Sequence, residues 1–134
     1  MIDIESEVFT AVANEVRATY TGLYMVGEYV KSPSTFPCVS IVETDNQVYR
    51  NTRTSSITEN HAQVMYEVNV YSNKKTGKKA QCREIMAAID TAMTRLGFTR
   101  TLLNPVPNED DATIYRMVGR YRAIVDRNQT IYRR

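Results

Sequence analysis

The side chains able to do chemistry are few. His61 is the sole histidine, so a Ser-His-Asp or Cys-His nucleophilic arrangement would have to be built around it. It follows Glu59-Asn60 in a polar stretch, where a solvated loop histidine is the favoured reading. Cys38 sits in a strand-like run and Cys82 on an apolar helical stripe; with only two cysteines and no ligand spacing, buried free thiols are expected rather than a metal site or a disulfide framework. Glu43 with Asp45, and Glu109-Asp110-Asp111, group carboxylates that suit a hard cation, but neither has the alternating spacing of a calcium loop. There is no glycine-rich phosphate loop. An enzyme is not expected, and neither a metal nor a cofactor is called for.

A different chemistry is written in the arginines. Arg116, Arg120 and Arg122 fall on one face of an alternating run, with Arg127, Arg133 and Arg134 close behind. Such a row can neutralise phosphates, which makes a small nucleic-acid-binding domain one reading. No aromatic RNA-module signature accompanies it. Nine tyrosines without a tryptophan fit surfaces that are partly apolar and partly wet, and arginines paired with acids such as Glu67 or Asp110 favour a protein interface.

These residues must be positioned by a small fold. The chain has 134 residues, 43% hydrophobic and 24% charged, with a formal charge of +2, which fits one soluble domain with a core of its own. No run is apolar for a membrane span, and the opening Met1-Ile-Asp-Ile-Glu-Ser-Glu is acidic where a secretory leader would be basic, so no membrane is expected as a partner and the protein is expected to stay where it is made.

The clearest signals lie between residues 63 and 97. Val64, Tyr66, Val68 and Val70 alternate on one strand face and read as core; Met65, Glu67, Asn69 and Tyr71 form a mixed second face, read as a contact surface. Cys82, Ile85, Met86, Ile89, Met93 and Leu96 then recur at three and four, after a Thr76 cap and before the stop at Gly97. Ile4, Val8, Val12, Val16 and Tyr20 mark another helix, with Asp3 as its cap. The predicted order is helix 3–20; strands 24–30, 38–43 and 63–71; helix 79–96; strands 98–103, 113–125 and 130–133. Residues 44–62 carry no core pattern and read as a long hairpin or flap, meeting another chain or mobile in isolation. The fold class is α+β: a largely antiparallel sheet, two helices on one face, and a second face too apolar to be left to water, which self-association would cover.

The combination Glu59-Asn-His-Ala62, Val64-Met-Tyr-Glu-Val-Asn-Val-Tyr-Ser-Asn73, the lysine turn Lys74 to Lys79, Leu96-Gly-Phe98, Ile114-Tyr-Arg and Arg120-Tyr-Arg-Ala-Ile-Val-Asp126 resembles tail terminator proteins of long-tailed bacteriophages, also called tail completion or head-to-tail joining proteins. The resemblance covers about residues 38–134. It implies a hexameric ring that stops growth of the tail tube and docks to the head connector, with DNA passing the lumen without specific recognition. It implies a virion protein at the head-proximal end of the tail, assembled in the host cytoplasm, with tail tube and connector proteins as partners. The related head-completion ring proteins are the neighbouring alternative. On this resemblance Arg116, Arg120, Tyr121 and Arg122, with Glu67, Asn69 and Tyr71, are expected at a subunit or lumen surface. The flap residues Arg50, Arg53, Thr54, Ser55, Ser56, Glu59 and Asn60 are expected against a neighbouring ring.

Overall fold

In the computed structural model, residues 1–31, 33–48, 61–107, 111–128 and 130–132 are described. Helix α1 (Glu5–Thr19) leads into β1 (Tyr24–Val26), β2 (Cys38–Val48) and β3 (His61–Ser72); helix α2 (Lys78–Leu96) is followed by β4 (Thr99–Pro107), β5 (Tyr115–Asp126) and β6 (Ile131–Tyr132). The strands form one sheet in the order β1-β2-β3-β5-β4, with β6 also paired to β5. Among the described residues only the β1–β2 pair is parallel. The expected α+β fold is the one found.

Register explains the layering. Val64, Val68 and Val70 stand opposite Ala123, Gly119 and Met117, and Tyr66 opposite Tyr121, so the apolar faces of β3 and β5 coincide. Both helices cover that face, and their buried stripes (Val8, Val12, Val16; Cys82, Ile85, Met86, Ile89, Met93) join one core with it. Phe98 meets Tyr66 edge-on at 5.3 Å between ring centres. Both thiols are buried, which raises the Cys38 pKa to about 11 and that of Cys82 to about 12.

Several boundaries differ from expectation. Strand β2 continues to Val48 and β3 begins at His61, so both ends of the expected flap are paired strand. A register shift between Glu43 and Asp45 breaks the period-two pattern that would have revealed the extension. The flap itself, with Arg50, Arg53, Thr54, Ser55, Ser56, Glu59 and Asn60, lies outside the described residues. β4 runs through Pro105 and Pro107 instead of ending at residue 103; on an edge strand a missing N–H costs no ladder bond. Helix α2 begins after Gly77 in the left-handed conformation, without a Thr76 cap, and α1 begins after Ile4, with Asp3 Oδ1 accepting from the Glu5 N–H at 3.2 Å.

The largest correction concerns the second face of the sheet. Beyond Val26 the chain leaves the sheet, where a strand to residue 30 was expected, and packs across that face: Val26 and Phe36 close over Cys38, Tyr71 and Ile114. Ser40 Oγ donates to the Glu28 carbonyl at 2.9 Å, and the Tyr71 hydroxyl to the Val30 carbonyl at 2.9 Å. Part of the surface expected to be covered by another chain is therefore covered by this one.

Candidate functional site

Alternation on β3 and β5 puts Glu67, Asn69 and Tyr71 on the face away from the helices, opposite Arg120, Val118 and Arg116. The acid and the amide are both buried, Glu67 at 7% exposure and Asn69 at 0%. They are satisfied by one another and by the arginines. Arg120 Nε donates to Glu67 Oε1 at 3.1 Å, Asn69 Nδ2 to Glu67 Oε2 at 3.2 Å, and Arg116 Nε to Asn69 Oδ1 at 2.8 Å. The Arg116 guanidinium also lies over the Tyr71 ring, 5.7 Å from its centre. Tyr29, from the covering segment, lies close enough to Glu67 to sense its charge; burial first, then the Glu67 carboxylate, raises the Tyr29 pKa.

The arrangement fixes arginines rather than neutralising them fully. Arg116 and Arg120 are each gripped through Nε, and among the described residues their terminal amino groups have no hydrogen-bond partner. Arg120 keeps 48% of its side chain exposed although Glu67 beneath it is nearly enclosed. Arg122 completes the row with its Nε buried and without a partner among the described residues. Guanidinium groups held in this way have the donor geometry that pairs with a carboxylate or a phosphate.

Glu67, Asn69 and Tyr71 thus lie beneath the surface as its support, and the arginines form the outer layer. Tyr121 does not join them. It is fully buried on the helix-covered face and donates its hydroxyl to Asp90 Oδ1 at 2.9 Å, as its odd position in the alternation requires. Arg100 holds the same carboxylate oxygen at 3.0 Å. Neither Tyr29 nor the Asp90 partnership was visible in sequence, since the joined residues are separated by 38 and 31 positions and obey no local spacing.

The other candidates stay apart. His61 opens β3 opposite Asp126, whereas Cys38 pairs with Tyr71 ten residues along the strand, about 33 Å away, so no Cys-His pair can form. Cys82 Sγ contacts the Val70 and Tyr115 carbonyls, at the Cys38 end. Asp111 binds the Thr113 N–H and hydroxyl, while Glu109 and Asp110 lie outside the described residues. Among the described residues no three His, Cys, Asp or Glu side chains are grouped to hold a metal ion.

Glu43 belongs to an acidic patch. Its Oε1 accepts from the Tyr66 hydroxyl at 3.0 Å, and its N–H donates to Glu5 Oε2 at 3.0 Å. Burial raises its pKa; bonds from Tyr66 and Asn46 oppose this, and the Glu5 and Asp3 charges add to it. A carboxyl raised in the fold contributes stability below its ordinary range and loses that contribution as pH rises through the folded value. At neutral pH the charged form is therefore a cost. Glu43→Gln should raise the urea midpoint at pH 7, with the gain fading toward about pH 4; a midpoint lowered at pH 7 would contradict the assignment.

Among the described residues no helix is long and apolar enough to cross a membrane. No curated protein matches the chain. A family model described as Tail completion protein gp17 matches residues 7–126, which takes in α1 from Glu7 onward, the whole of α2, the strands β1 to β5 and Arg116, Arg120 and Arg122, and the chain belongs to this family of phage tail completion proteins.

Proposed function

We propose that this protein assembles as a ring, a hexamer, that closes the head-proximal end of the tail tube, stops its polymerisation and presents a docking surface to the connector. Membership of the family carries the coarser part: the protein is a component of the virion tail, acts with other phage tail and head proteins, and has a structural role. The finer part is supported by a face of rigidly held arginines with unused donors, a surface built for contact. Arg116, Arg120 and Arg122 are assigned to a subunit or lumen surface. The segment from Arg50 to Asn60 is assigned to a neighbouring ring.

The test is assembly. Native mass measurement and electron microscopy of the purified chain, alone and with tail tube protein, should show rings and tubes closed at one end. A chain that stays monomeric at high concentration and leaves tubes growing would overturn the reading.

A further inference from the structure

The arginine row has donors to spare, and the same chain carries an acidic surface elsewhere that matches it. Arg116, Arg120 and Arg122 take three of the four positions from 116 to 122 on one strand face, with Val118 the fourth, so the row extends about 20 Å. Leu102, 37% exposed on the edge strand, stands in register with Arg120 and adds an apolar contact. Arginine beside exposed apolar surface is the composition of protein interfaces. The buried, unpartnered Nε of Arg122 is a second sign, because folded chains seldom leave a desolvated donor without an acceptor.

The occupant is indicated by charge. With seventeen basic and fifteen acidic residues the chain is nearly neutral, so a cationic face implies an anionic one. It lies where the start of α1 meets β2: Asp3 and Glu7 are exposed, and Glu5, Glu43 and Asp45 are half-buried. Glu5 accepts from the Glu43 N–H at 3.0 Å, and the Glu5 and Asp3 charges both reach the Glu43 carboxyl. This patch joins the helix-covered side of the sheet beyond β3, whereas the row occupies the opposite face of β5. Two different patches that cannot meet within one molecule can meet between molecules, head to tail.

From this we infer that the Arg116/Arg120/Arg122 row receives the Asp3/Glu5/Glu7 surface of a second copy of this chain. The inference rests on the ring reading and names the two surfaces that would join.

The experiment is a charge swap read by sedimentation across a concentration series, with tail tube protein present in a parallel set. Glu7→Lys changes an exposed helix residue and leaves the core alone. Arg122→Glu reverses the row without touching the Glu67 pair, and Arg122→Gln serves as its milder form, with circular dichroism to check folding. Each single variant should need at least about tenfold more protein to associate, and Glu7→Lys with Arg122→Glu in one chain should return association close to wild type. Singles that assemble like wild type, or a double variant no better than its worse parent, would overturn the inference. If the Arg122 variants assemble normally but lose salt-sensitive binding of duplex DNA, the row serves phosphate and the inference falls while the ring reading stands. A wild-type chain that never associates removes both.

Discussion

Ile89→Ala is expected to lower the unfolding free energy by about 2–5 kcal/mol, because the site is enclosed and can relax only in part. Ile89 has no exposed surface and lies mid-helix in α2, within the cluster that also holds Val64, Tyr66, Val68 and Met86. Deleting its outer carbons removes burial and leaves a cavity where the helix meets the sheet. Ile89→Val, which loses one methylene, should cost about 0.5–1.5 kcal/mol. Urea unfolding of both variants gives the measurement, and an alanine cost below about 1 kcal/mol would mean that α2 is not seated as described. The same seating matters for function. β3 and β5 present core residues and the arginine support on alternate positions, Val68 beside Glu67 and Asn69, Tyr121 beside Arg120 and Arg122. A helix that loosens one face disturbs the backbone that holds the other.

What could be read from the sequence follows from the range of the interactions involved. The α2 stripe and the alternation on β3 and β5 are set by residues two to four apart, and both elements lie where that periodicity puts them. Arg116, Arg120 and Arg122 were likewise assignable to one strand face, and the alternation alone separates Tyr121 from them. The support beneath the row was only half legible: Glu67 was readable as an acid facing arginines, whereas the approach of Tyr29 to it depends on the chain leaving the sheet after Val26 and packing back across this face. Between Val26 and Cys38 the described residues belong to no ladder, so no periodic pattern marks them. The extension of β2 was hidden by a single irregularity at residue 44, which shifts every later side chain to the other face. Pro105 and Pro107 hide the full length of β4 from sequence, because their tolerance depends on the strand being at an edge, a property of topology and not of composition.

Gly97→Ala is the substitution expected to cost most outside the core. Gly97 ends α2 with φ +108°, a backbone conformation costly for any side chain, and its N–H donates to the Thr94 carbonyl at 3.0 Å while Phe98 N–H returns to Met93 at 3.0 Å. This turn delivers Phe98 against Tyr66 and launches β4 along β5. A Cβ placed at Gly97 would lie 2.9 Å from Ile131 Cγ2 and 3.4 Å from the Ile131 carbonyl oxygen, so β6 must shift as well. The left-handed backbone contributes about 1–2 kcal/mol and the overpacking about 1–3 kcal/mol. Gly77→Ala separates the two terms: its φ is +82°, and nothing lies within 4 Å of the added carbon, so only the backbone cost applies. Ile131→Ala, introduced into Gly97→Ala, should recover part of the loss, since the closest colliding methyl is gone, and the double-mutant cycle measures how much. If Gly97→Ala and Gly77→Ala cost the same, and Ile131→Ala recovers nothing, then β6 does not pack against the end of α2 and the tie between the helix layer and this edge of β5 is absent.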